Sequence, residues 1–401
     1  DHRDLHSFPT RRSSDLAMVD DLILSKCLGK GAFGEVYLTQ KKGSKELYAT
    51  KRLDRAISEQ PEHLRLLSNE INLLKKIHHP NCVRLIDLKK TKSHCYLVME
   101  FCNGGDLTGC LKKYKAAYRR PFTEEIVQYI MRQVVNGLNF LHSNKIIHRD
   151  LKLDNILLNY NSENDKNSLN IMKAVAKITD FGFATRLKSS KSNLTYTVLG
   201  TPAYMDPQLL NNMQSKTPNK VGYDEKADIW SLGCLCYEML VGHVAFSGAS
   251  MQDLNQKVKQ GTYALPTNIS EEVFSFINGM LQKDPNKRLS THELLKHNFL
   301  VKNVRQFKPL DVRKIGAMLG PGGVMNVNSG SSSKAANLHE TVWDIFLQPV
   351  ITPPSIGIKV GGNIYAQPQI QQVTPQQYYM GPQMNLPNQY AQTGMMPNMQ
   401  R

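Results

Sequence analysis

Apolar and polar positions alternate with a period of two through most of the first hundred residues. Residues 22–27, 35–39 and 47–53 each read as a strand, and 83–88 and 95–101 repeat the pattern. Between the third and fourth of these the period lengthens, because Leu64, Leu67, Ile71 and Leu74 share one stripe at helical spacing. Beyond residue 101 the helical period prevails. Residues 124–142 and 226–240 each predict a long helix, with a short strand at 176–179. Strands first and helices afterwards predict an α+β chain of two lobes with different architectures, joined near residues 100–106.

The pattern fades at both ends. Residues 1–17 carry neither period, and SFPTRRSSDL (7–16) reads like an in-frame translation of a sequencing-library adaptor. The start is then expected at Met18, a short disordered leader being the alternative. One globular domain is expected over 18–301, with a β-rich lobe at about 18–101 and a helical lobe at about 103–301. Residues 302–401 turn to Gln, Asn, Pro and Met, and 345–401 contain no Asp or Glu. Such a stretch buries too little apolar surface to offset chain entropy, so disorder is expected. Gln/Asn-rich tracts with interspersed tyrosines self-associate weakly, which makes the tail a candidate recruiter of binding proteins. Residues 299–319 set Lys302, Arg305, Lys308, Arg313 and Lys314 among apolar residues, a composition used by calmodulin-type targets, membrane-surface helices and autoinhibitory segments. Pro309 interrupts a continuous helix and Asp311 dilutes the charge, so a solvated linker is the preferred reading.

Composition narrows the classes. The 401 residues carry a net charge of +16, which suits nucleic acid, anionic lipid or phosphate ligands alike. No nucleic-acid motif or aromatic–basic platform accompanies it, so nucleic acid is not expected as a partner. The seven cysteines form no C-x-x-C pair, which argues against a disulfide framework or a zinc site and for a reducing, cytoplasmic compartment. No apolar run approaches the ~18 residues of a membrane span.

Gly29-Lys30-Gly31-Ala32-Phe33-Gly34-Glu35-Val36 lies between two predicted strands. Its glycines let the backbone approach a triphosphate and point amide N–H groups at it. A dinucleotide fold has similar spacing but needs a helix straight after the glycines, whereas residues 36–38 read as a strand. Seventeen residues past Gly34, Lys51 closes the run Ala49-Thr50-Lys51, and Glu70 on the helical stripe is placed to reach back to it. Alone, Lys51 is a solvated strand end and Glu70 an exposed helical carboxylate.

His148-Arg149-Asp150-Leu151-Lys152-Leu153-Asp154-Asn155 and, on the next strand, Asp180-Phe181-Gly182 complete an ordered set. Together with the glycine motif and Lys51, it resembles the eukaryotic protein kinases over residues 22–300. The resemblance implies a bilobal kinase fold and phosphoryl transfer from ATP with Mg²⁺ to protein substrates. That reaction leaves side chains little covalent work, so positioning and charge dominate. Asp150 would accept or orient the substrate hydroxyl proton, Lys152 would balance charge on the moving phosphoryl group, and Asn155 and Asp180 would supply hard oxygen ligands for Mg²⁺. Residues Leu28 to Gly34 would cover the phosphates and Lys51, oriented by Glu70, would reach them. Val36, Ala49 and Leu157 would enclose adenine, Met99 would gate the back pocket, and Glu100 and Cys102 would offer hinge backbone hydrogen bonds. Leu74, Leu85, His148 and Phe181 would form the regulatory stack, and Asp228 would anchor the catalytic loop.

Further matches concern specificity and switching. Lys152, and Thr201 in Gly200-Thr201-Pro202-Ala203-Tyr204, match the serine/threonine kinases, and Phe183 matches members that prefer serine. Asp106, Asp154 and Glu238 stand where basophilic kinases keep acidic residues, an ordinary structural role being the alternative. Arg149, helped by Arg186, would meet a phosphate placed on Thr197, with Thr195 and Tyr196 as competing neighbours, by an upstream kinase or by the chain itself. Residues 159–174 lengthen the usual stretch before Asp180 and are expected as a tolerated loop between two strands. The family's Ala-Pro-Glu is here Asp206-Pro207-Gln208, and its Glu normally pairs with the residue matched by Arg288. Gln208 keeps a hydrogen bond there but not the charge, which is expected to weaken a brace of the large lobe. The sequence around Phe183 and Tyr204 is similar to unc-51-like kinases, with calcium/calmodulin-dependent kinases the nearest rival. A pseudokinase scaffold acting through the tail is the competing class, and the presence of Lys51, Asp150, Asn155 and Asp180 weighs against it.

Overall fold

The computed structural model describes residues 18–31, 34–54, 71–181, 184–186, 200–214, 224–261, 263–266 and 268–311. Two units divide the chain, 1–330 and 331–401, and every described residue lies in the first. The helical stripe is therefore seen only at 71–74. Ala32, Phe33, Glu70, Gly182, Phe183, Thr197 and residues 312–401 lie outside the described residues.

Six strands form one antiparallel sheet: β1 Met18–Val19, β2 Leu22–Gly31, β3 Gly34–Lys41, β4 Leu47–Asp54, β5 Leu85–Lys90 and β6 His94–Glu100, in the order β1-β2-β3-β4-β6-β5. β2 runs past its expected end at residue 27 because its ladder with β3, irregular between Leu24 and Gly29, continues to the Gly31–Gly34 pair. The register has a direct consequence for the site. Val36 opposes Lys51 and Ala49 opposes Met99, so a side-chain period of two puts all four on one face of the sheet.

The second lobe is built from helices. α1 spans Leu107–Tyr118 and α2 spans Glu124–Ser143. α2 starts where Thr123 accepts the Ile126 N–H, with Glu124 and Glu125 favourably placed in the first turn. It buries Val127, Ile130, Val134, Leu138 and Leu141 at helical spacing. Two short antiparallel ladders frame the catalytic motif, β7 Ile146–Ile147 with β10 Thr185–Arg186 and β8 Ile156–Asn159 with β9 Val175–Ile178. The lobe continues with α3 Glu163–Asn167, α4 Pro207–Gln214, α5 Glu225–Val241, α6 Met251–Gln260, α7 Glu271–Met280, α8 Thr291–Lys296 and α9 Asn298–Val301. α5 is buried on nearly every face from Ala227 to Leu240, which makes it the axis of the lobe.

Two expectations change. The stretch 159–174 does lie between two strands, β8 and β9, but it is not all loop: it holds α3 and a 3-10 turn at Ile171–Lys173, buries Ile171 and Ala174, and is tied to α2 where the Tyr129 hydroxyl donates to the Ala174 carbonyl at 3.0 Å. Nor does the packed chain stop at residue 301. Lys302 pairs with Glu272 at 3.0 Å, the Lys308 N–H donates to the same carboxylate at 2.9 Å, and buried Leu310 donates its N–H to Ile269 at 2.9 Å. These bonds make residues 302–311 part of the helical lobe instead of a solvated linker. Arg313 and Lys314 lie outside the described residues.

Candidate active site

The catalytic motif sits between β7 and β8 in a conformation that needs outside support. Arg149 has φ 72° and Asp180 φ 61°, left-handed backbone that costs a non-glycine residue roughly 1–3 kcal/mol. Asp228, from α5, holds the first of these. Its Oδ1 accepts the Arg149 N–H at 2.8 Å, and its Oδ2 accepts the His148 N–H at 2.8 Å and lies 2.9 Å from His142 Nε2. Burial pushes the Asp228 carboxyl up, but the His142 hydrogen bond and the His148 N–H outweigh it and hold it below the ordinary aspartate value. His148 extends the network. Its Nε2 bonds the Thr179 carbonyl at 2.9 Å, and its Nδ1 accepts the Asp150 N–H at 3.3 Å. A carbonyl only accepts, so the proton sits on Nε2.

Three side chains then converge on Asp150, which is 5% exposed. Its Oδ2 lies 2.9 Å from the Lys152 ammonium and 3.1 Å from the Asn155 amide nitrogen, while its Oδ1 accepts the Thr201 hydroxyl at 2.9 Å. Lys152 also donates to Thr201 Oγ1 at 2.9 Å, closing a triangle. The Asn155 amide donates a further bond to the Asp150 carbonyl at 2.7 Å. With its nitrogen committed twice to Asp150, the oxygen of Asn155 remains as a cation ligand. Asn155 and the half-exposed Asp180 carboxylate therefore present the hard oxygen donors that suit Mg²⁺, which usually takes only one or two protein ligands beside phosphate oxygens. Among the described residues no cluster of three His, Cys, Asp or Glu side chains suits a metal ion.

From the other lobe, Lys51 reaches Asp180 at 3.7 Å. Val36 and Ala49 share its face of the sheet, and half-buried Leu157 lies on β8 below, bridged to Asp106. Met99 is half-buried opposite Ala49. The Glu100 N–H is engaged with the Arg84 carbonyl at 3.1 Å, and its carboxylate holds Lys177 at 3.1 Å, a partner that sequence spacing gave no reason to name. Cys102 is buried just beyond β6. In the glycine motif, Leu28 is exposed, Gly29 opposes Val36, and Lys30 pairs with Glu35 at 2.7 Å. Gly34 has φ 139°, and a Cβ there would come within 2.1 Å of the Arg52 carbonyl oxygen, so only glycine fits. Of the stack, the rings of His148 and Phe181 lie 5.4 Å apart, Leu74 is buried and Leu85 packs against the same core.

The three acidic specificity candidates separate. Asp106 caps α1 by accepting the Gly109 N–H at 2.7 Å. Glu238 accepts the Tyr204 hydroxyl, and burial raises its carboxyl above the ordinary value despite that bond. Asp154 is exposed. His142, the second partner of Asp228, was not legible, because the pair spans 86 positions and carries no local spacing.

A sheet lobe carrying a glycine hairpin and a lysine, set over a helical lobe with this Asp–Lys–Asn–Thr network, defines a phosphotransferase class. Residues 22–300 match the protein kinase domain family, and the chain belongs to it. Among curated relatives, it is 36% identical to the serine/threonine-protein kinase atg1 of Dictyostelium discoideum, over 70% of this chain and 39% of the relative. It is 31% identical to the serine/threonine-protein kinase PLK4 of Drosophila virilis, over 71% and 33%. Aurora kinase A-B of Xenopus laevis is 31% identical over 75% and 66%. The chain thus spans about a third to two thirds of the length of these relatives.

Proposed function

We propose that the chain is an active serine/threonine protein kinase that uses Mg·ATP and prefers serine hydroxyls. The observation that carries this reading is the closed network of Asp150, Lys152, Asn155 and Thr201. Asp150 presents a buried carboxylate, already accepting one hydroxyl, to the hydroxyl of a substrate. Lys152, 2.9 Å from it, places a positive charge where the transferred phosphoryl group gains negative charge. Lys51 would meet the phosphates of ATP, and Asn155 and Asp180 would hold the metal. Mg²⁺ held there would neutralise negative charge on the phosphates. Asp154, exposed beside the catalytic loop, is the acidic residue best placed to favour a basic substrate. A reducing, cytoplasmic setting belongs to the same reading and rests on the cysteine spacing of the sequence.

The test is phosphotransfer by the full chain with Mg·ATP, scored on basic and neutral serine and threonine peptides. Asp150→Asn should lower kcat about 10²–10⁴-fold while ATP still binds. Intact ATP binding without transfer in the wild type, even after treatment with an activating kinase, would replace this reading by a scaffold. Phosphorylation of Thr197 forms the switch in the same proposal. Thr197→Ala should then fall to a small fraction of wild-type activity, and a fully active Thr197→Ala protein removes the switch.

A further inference from the structure

Arg288 is a buried cation with an unusual set of partners. Its side chain is 0% exposed and lies over the Trp230 ring at 5.1 Å. Nε donates to the Gln282 carbonyl at 2.8 Å, Nη1 to the Lys226 carbonyl at 2.8 Å and Nη2 to Gln208 Oε1 at 3.0 Å. All of these acceptors are neutral. A guanidinium keeps its proton in proteins, so a fully buried one requires a carboxylate nearby. That carboxylate is Asp206, whose Oδ2 accepts from Nη1 at 2.8 Å while its Oδ1 accepts the Leu209 N–H at 2.9 Å and caps α4.

We propose that the countercharge of the large-lobe brace has moved two residues upstream, so that Asp206 carries the role the family gives to the Glu position now held by Gln208. The expected weakening is thereby offset. Asp206 is a positioning residue and touches no reacting atom. It fixes the start of α4, directly after the turn whose Tyr204 N–H bonds Thr201 and whose Tyr204 carbonyl accepts the Ser231 hydroxyl at 2.8 Å. Thr201 is the hydroxyl on Asp150, so a loose brace displaces the substrate-side end of the network and leaves the ATP side in place.

This rests on the kinase reading above, and three variants separate the possibilities. Asp206→Ala removes both the cap and the charge. Asp206→Asn keeps a capping oxygen but loses the charge. Asp206→Ala with Gln208→Glu restores a carboxylate at the residue already 3.0 Å from Nη2. Peptide kcat/KM should fall roughly ten- to a hundredfold in the first two, with the KM for ATP changed less than about threefold, and return most of the way in the double variant. Full activity in Asp206→Asn, or a double variant as impaired as Asp206→Ala, overturns the proposal. If the wild type transfers no phosphate, amide exchange across 207–214 decides alone. Faster exchange in Asp206→Ala that the double variant reverses supports the relocated brace, and unchanged exchange in Asp206→Ala overturns it.

Discussion

The catalytic loop and the glycine hairpin belong to the two lobes that the Lys51–Asp180 contact links, yet they are held in opposite ways. Around the catalytic loop two carboxylates are buried and bonded on every side, Asp150 by Lys152, Asn155 and Thr201, and Asp228 by two backbone N–H groups and His142. In the hairpin the ion pairs lie at the surface. Lys30, 74% exposed, bonds Glu35 and with the Tyr37 hydroxyl holds that carboxyl down at about 2, while Arg52 meets it from β4. Water screens such pairs, so they fix little. What fixes the hairpin is steric: the Gly34 backbone lies against the Arg52 carbonyl. Dipoles that meet charge developing in a reaction must already point the right way, which requires buried, over-determined bonds. A strand turn laid over phosphates requires only that its backbone can come close.

The largest effect expected from this contrast is at Asp228. Asp228→Ala leaves His142 and two buried N–H groups without their partner and should cost about 3–5 kcal/mol of stability, together with most of the activity. Because the folded carboxyl lies below its unfolded value, its stabilisation is complete above the unfolded range near pH 4 and is lost as pH falls through the folded value. Urea midpoints of wild type and Asp228→Asn should therefore differ at pH 7 and converge below about pH 4, and a constant gap would break the assignment. Next comes Gly34→Ala, which should raise the KM for ATP about tenfold or more through strain of roughly 1–3 kcal/mol while leaving the peptide KM nearly unchanged. The smallest effect belongs to Gly29→Ala. Nothing in the protein lies within 4 Å of its added Cβ, so it adds no strain of its own and the KM for ATP should rise less than in Gly34→Ala. Equal effects of the two glycine variants would show that the hairpin is not sterically fixed.

Most of the fold was legible because it is written in short periods. The strands, both long helices and the lobe order follow from alternation at two and at 3.6 residues, local properties of the chain. The packing of 302–311 beyond the expected domain end is not signalled locally, because what holds these residues is Glu272, some thirty positions away. The stretch at 159–174, expected as a loop between two strands, hides its packing for a related reason. Its polar composition outweighed Ile171 and Ala174, and only their burial against α2 shows it to be packed.

By itself the sequence determined which groups the site contains. The glycine motif, Lys51, Asp150, Lys152, Asn155 and Asp180 stand in fixed order, and their chemistry leaves few reactions that use them all. Tertiary structure alone decided who holds whom. Asp228 with His142, Lys177 with Glu100 and Asp206 with Arg288 are pairs 86, 77 and 82 positions apart. Such partners are chosen by burial: a charge removed from water must meet its complement wherever the packed chain brings one, and sequence distance plays no part in that choice.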